Sequence, residues 1–178
     1  LEFRRVLFRS DIQNLANTVW AYATAGERAA GLVEAVASQS GRVAREGNIQ
    51  QLANTVWAYA TAGERAAGLF EAVASQSGRI AREGNIHDLA NTVWAYAAIG
   101  QSTPLFDVLD DCFKCSADRL PDRREIHQLY QVYLWLKPMN NFAHLAFPEP
   151  WLAEVAKAAD TSSSKLHLSV SSALTSLG

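Results

Sequence analysis

Nine polar side chains in the first hundred residues recur at a spacing of 37, and their chemistry is that of a hydrogen-bonding surface. Gln13, Gln50 and His87 fill one slot, Asn14, Gln51 and Asp88 the next, and Asn17, Asn54 and Asn91 a third. A side-chain amide holds a donor and an acceptor on one plane, which suits the edge of a nucleobase. The third slot never changes, so it cannot distinguish one base from another. The first two slots vary, so selectivity is expected there, with the first two copies alike and the third different. Thr24 and Thr61 extend the same face. The competing reading is structural: an invariant Asn bonds a neighbouring backbone, and the variable slots form a solvated helix face.

Catalytic chemistry has less behind it. Cys112 and Cys115 form a CxxC that, with His127, offers three zinc ligands and no well-placed fourth. A thioredoxin-type site needs a strand and a βαβ setting. Here the pair falls inside an expected helix, with Cys112 seven residues after Leu105 on its buried face, where Cys acts as a small hydrophobe. His87, His127, His144 and His167 show neither triad nor metal spacing. No Gly-rich phosphate loop is present, nor a nucleophile with paired carboxylates. The expectation is therefore no enzyme, no metal, no cofactor and no small-molecule substrate. No apolar run reaches the ~18 residues of a membrane span. The formal charge is −2 over 178 residues, which makes phosphate attraction weak. Arg28, Arg65, Arg42, Arg79, Arg45 and Arg82 have Glu27, Glu64, Glu46 and Glu83 among them to cancel the field.

The elements that position these residues come from the repeat. "LANTVWAYA" stands at 15–23, 52–60 and 89–97, and residues 11–47 and 48–84 differ at only four positions, 11/48, 14/51, 33/70 and 43/80. Repeats of 20–50 residues indicate units that bury their apolar faces by stacking on one another. In the second unit Asn48 reads as an N-cap after Gly47, with Gln51 at the third helical position as in a capping box. Ile49, Leu52, Ala53, Val56 and Ala60 form a helical stripe, flanked by Trp57 and Tyr59, and Gly63 ends the helix. The second half places Ala66, Leu69, Phe70, Val73 and Ile80 at helical spacing, with Gly68 and Gly78 read as a frayed start and a kink or as close contacts. The expected fold is all-α: an α-solenoid of helix–turn–helix repeats of about 37 residues. Trp20, Trp57 and Trp94 either fill the seam between helices or stack on bases.

Leu1–Ser10 resembles the in-frame translation of a sequencing adapter, and 1–10 reads as a non-native scar with the native N-terminus missing. The repeat array then occupies 11–137, as 11–47, 48–84, 85–124 and a degenerate 125–137. In that last unit "IHQLYQVYLWLK" mirrors "IHDLANTVWAYA" 40 residues on, with Leu129, Val132, Tyr133 and Leu136 buried. Residues 138–178 read as a proline-rich loop, a short helix anchored by Trp151, and a capped helix with Leu166, Val170, Leu174 and Leu177 on one face. A strand is the alternative for 166–170.

"LANTVWAYATAG…LFEAVA" resembles the unit of octotricopeptide-type repeat proteins, the RAP-domain or FAST-kinase-like proteins of organelles. "SSSKLHLSVSSALTSLG" is similar to the helix that precedes the RAP domain in that family, which makes 138–178 its flank and the chain a fragment lacking the RAP domain itself. The resemblance implies binding of single-stranded RNA in a mitochondrion or chloroplast. It also implies support of transcript stability, processing or translation, with other organellar RNA-processing proteins as partners. The nine residues of the three slots would be the RNA-binding set. The alternative function is a protein–protein interaction scaffold of armadillo or HEAT type.

Overall fold

The computed structural model describes residues 12–26, 30–115 and 120–159. Among these there are ten α-helices and no strand, so the fold class is all-α. The first unit holds α1 (Ile12–Ala25), α2 (Ala30–Ala37) and α3 (Ser40–Glu46); the second holds α4 (Ile49–Thr61), α5 (Ala67–Ala74) and α6 (Ser77–Glu83). The third has α7 (Ile86–Ile99), a 3-10 turn at Pro104–Val108, and α8 (Leu109–Cys115). Then come α9 (Arg123–Leu136), a 3-10 turn at Asn140–Phe142, and α10 (Glu149–Ala159). No described helix is long and apolar enough to cross a membrane.

The expected helix pair is in fact a trio in the first two units. The second half of each repeat breaks at "SQS". Ser75 Oγ donates to the Ala72 carbonyl and Ser77 Oγ to that of Ala74, while Gln76 sits at φ −96°, ψ 8°. Hydroxyls that bond back to the preceding turn compete with helix continuation. Ser38 and Ser40 do the same to Ala35 and Ala37 in the first unit. Gly68 and Gly78 therefore lie in the first turns of short helices and mark no kink. A Cβ at Gly68 would meet nothing within 4 Å, so close helix contact is not its reason either.

The first helix of each unit is set by its ends. Asn48 accepts from the Gln51 amide while Gln51 Oε1 accepts from that of Asn48, and Asn85 and Asp88 form the same box. Asp122 and Glu125 repeat it at the head of α9. Asp122 thus lies 37 residues after Asn85, not the 40 that the "IH" alignment gives, and α9 starts ahead of the expected boundary at 125. At the other end Gly63 and Gly100 take φ +72° and +71°, and the Glu64 and Gln101 amides bond back to the Tyr59 and Tyr96 carbonyls. This left-handed cap is costly for any residue with a Cβ.

Packing runs from unit to unit. α4 lies between α1 and α7, and α9 packs on α7. Leu15, Val19, Leu52, Val56, Val93, Leu129, Val132 and Leu136 fill these seams at 2% exposure or less; Tyr133 is only half-buried. Two buried tyrosines tie each first helix to the unit before it. The Tyr59 hydroxyl donates to the Val33 carbonyl and the Tyr96 hydroxyl to that of Phe70. Burial pushes both hydroxyls above the ordinary phenol range. Gly84 makes a different demand, at φ −75° and ψ 150°. A Cβ there would lie 2.6 Å from the Ile80 carbonyl oxygen and 3.2 Å from Ile49 Cγ2 on the first helix of the same unit. At the far end Trp151, fully buried, anchors α10 as expected, edge-on to Phe113 and Phe147. Leu1–Ser10 and the expected helix or strand over 162–178 lie outside the described residues.

Candidate functional site

On α1 the side chains of Gln13, Asn17, Trp20 and Thr24 are spaced four, three and four residues apart, which places them on one helical stripe. All four are exposed. The 37-residue spacing puts Gln50, Asn54, Trp57 and Thr61 on the matching stripe of α4, and His87, Asn91 and Trp94 on that of α7. Register is visible in the indoles: Trp20 and Trp57 have centroids 6.5 Å apart and Trp57 and Trp94 6.3 Å, tilted by 37° and 36°. Trp57 and Trp94 are buried, 7% and 6% exposed, and Trp20 remains 38% exposed. The seam reading holds for two of the three, whereas Trp20 is half seam and half surface.

The row is not uniformly open. Asn17 is exposed, Asn54 half-buried and Asn91 buried, although all three begin the same "NTVWAYA". The cause is α9, which closes over α7. Gln128 Nε2 donates to Asn91 Oδ1 at 3.1 Å, and Asn91 Nδ2 lies 3.0 Å from His87 Nε2. His87 Nδ1 lies 3.2 Å from Glu125 Oε1. Trp94 Nε1 donates to Gln131 Oε1 at 2.7 Å. The Arg124 guanidinium reaches past α7 to lie 4.8 Å from the Trp57 ring centroid.

The nine expected site residues therefore divide. Gln13, Asn14, Asn17 and Gln50 are exposed, and Asn54 is half-buried beside them. Gln51 and Asp88 are engaged in N-terminal capping, which accounts for a polar residue in the second slot without any ligand. Asn91 is buried against α9 and His87, half-buried, contacts Glu125 there, so in the third copy the fourth unit supplies partners that a ligand would. The sequence reading leaves Trp20 between seam and base stacking and does not single out Arg124. Their signal was available: Trp20 lies three residues after Asn17 on the same stripe, and Arg124 lies 37 after His87.

No protein-family model matches this chain, and no curated protein matches it either.

Other chemistry is sparse among the described residues. His87, Asp122 and Glu125 bring one ligand atom each to within 4.8 Å of one another, but Asp122 Oδ1 and Glu125 Oε2 already accept capping bonds. Cys112 is half-buried on helix α8, not fully buried as its spacing from Leu105 suggests. His144 is exposed and His127 half-buried, and His167 lies outside the described residues.

Proposed function

We propose that this chain is a helical-repeat array, an α-solenoid, that binds single-stranded RNA through the stripe shared by α1 and α4. The observation that supports it is the exposed set Gln13, Asn17 and Trp20, continued in register by Gln50 and Asn54. It combines amides with an aromatic face, and that combination lets helical repeats take splayed bases one unit at a time. Arg124, stacked on Trp57, offers its remaining guanidinium donors to a phosphate at the edge of the row. The organellar role in transcript stability, processing or translation rests on the family resemblance of the repeat unit.

The burial gradient narrows the proposal. Reading falls to the first two units, which differ in this row only at Asn14 against Gln51, so they prefer similar nucleotides. Exchange of His87 and Asp88 for Gln acts on folding and not on base preference. Selection from randomised single-stranded RNA at several salt concentrations tests the reading. A motif of about two preferred positions, weakened by Asn17→Ala and Gln50→Ala, is expected. With one or two cations at the row, log K falls with log salt at a slope of roughly −0.7 to −1.4. Recovery of no enriched motif refutes RNA reading and favours the scaffold.

A further inference from the structure

We propose that the outward side of the first unit, formed by α1 and α2, is a docking surface for one more helical unit of the kind this chain already contains. Identical residues stand in two settings in this chain. Helices α1 and α4 share "LANTVWAYAT". On α4, Thr55, Ala58 and Tyr59 are 1%, 0% and 0% exposed. On α1, Ala21 and Tyr22 are exposed, Tyr22 at 46%, and Thr18 is half-buried. The same contrast continues on the next helix, where Phe70 of α5 is fully buried and Val33 of α2 only half-buried.

What covers the α4 set is visible. α1 lies along it, α2 gives the Val33 carbonyl to the Tyr59 hydroxyl, α3 packs on α5, and Trp20 lies against Trp57. The third unit receives the second in the same way, through Tyr96 and the Phe70 carbonyl. A surface built from the same residues on the same helix has the same complement: a trio of the α1–α3 type, offering an indole to Trp20 and a main-chain oxygen to Tyr22. With it in place Trp20 joins the seam as Trp57 does, and the row on α1 keeps Gln13 and Asn17 open as α4 keeps Gln50 and, half-buried, Asn54. A second copy of this chain has no such face free among the described residues. Its α1–α3 is taken by α4, its α4–α6 by α7, and its α7 by α9, while α10 packs on α9. The occupant is therefore an added unit joined ahead of α1. The two-residue links Gly47–Asn48 and Gly84–Asn85 show the connection that it needs.

The test inserts a further copy of residues 48–84 between Ser10 and Asp11. Tyrosine nitration by tetranitromethane is mapped on the peptide containing "DIQNLAN", which the insert does not duplicate. In the chain as it stands Tyr22 nitrates at least tenfold faster than Tyr96; in the extended chain it slows to the Tyr96 rate. Tyr22→Phe leaves the urea midpoint of the present chain unchanged and lowers that of the extended chain as much as Tyr96→Phe does. Equal reactivity or equal midpoint effects in the two chains overturn the proposal. So does Tyr22 in the present chain reacting as slowly as Tyr96, which holds whether or not the extended chain folds. Removal of residues 1–10 that speeds Tyr22 nitration tenfold assigns the face to that segment and also overturns it. A dimer of the present chain that Tyr22→Arg returns to monomer does the same in favour of a second copy.

Discussion

Tyr59 and Tyr96 make the stability of this protein sensitive to alkali in a predictable way. Each hydroxyl is buried and donates to a carbonyl of the preceding unit, and burial holds its pKa above the ordinary value of about 10. In the unfolded chain both phenols ionise above pH 10, whereas in the folded chain both keep their protons. The unfolded state thus binds fewer protons, and stability falls as pH rises. The contribution is complete below pH 10 and is lost progressively above it. Each group supplies a slope of about 1.4 kcal/mol per pH unit, so the pair supplies about 2.7. From pH 8 to 11.5 the loss is about 4 kcal/mol, most of the stability of a domain at the low end of the usual 5–15 kcal/mol. Urea unfolding followed by circular dichroism at pH 8 to 11.5 measures it. The double variant Tyr59→Phe with Tyr96→Phe is expected to lose about 1 kcal/mol per site at pH 7 and to flatten the alkaline dependence. An unchanged alkaline slope in that variant refutes the assignment of these hydroxyls as the buried ties between units.

Four further outcomes follow from the geometry. Gly84→Ala is expected to destabilise by about 1–3 kcal/mol, because its Cβ has the Ile80 carbonyl oxygen at 2.6 Å and cannot displace it. Gly68→Ala, with open space around it, stabilises by about 0.4–1 kcal/mol in the same urea assay. Asn91→Ala strands the buried Gln128 amide and the His87 ring nitrogen and costs about 1–3 kcal/mol, whereas Asn17→Ala, from an identical local sequence, stays within about 0.5 kcal/mol by thermal unfolding. If the stripe on α1 stacks a base, Trp20→Ala weakens RNA binding by about 1–3 kcal/mol in a fluorescence titration with Trp57 and Trp94 left in place.

The first helices were legible in the sequence because every determinant was local: an N-cap with its third-position partner, a stripe at helical spacing, and a glycine in left-handed backbone. The break in the second half was also written locally, in Ser38–Ser40 and Ser75–Ser77, but apolar periodicity ran through it and masked it. The site was legible only in part. Which side of each helix carries amides follows from spacing alone. Whether that side meets water depends on a neighbour 37 residues away, and α9 was aligned three residues out because "IH" occurs in both segments. Glu125, Gln128 and Gln131 are ordinary polar residues until their register against His87, Asn91 and Trp94 is known. Identical nonapeptides with Asn17 in solvent and Asn91 in the interior show that local sequence cannot decide exposure.

The tyrosine ties have a consequence for how such a chain can vary. Tyr59 and Tyr96 address a main-chain oxygen, and Val33 and Phe70 present that oxygen equally well despite very different side chains. A contact that ignores the identity of its acceptor asks nothing of the residue there beyond a helical backbone and enough bulk to fill the seam. Units can then be duplicated, deleted or reordered without compensating changes next door, in the manner of bricks sharing a common stud, while the amides they display are free to drift.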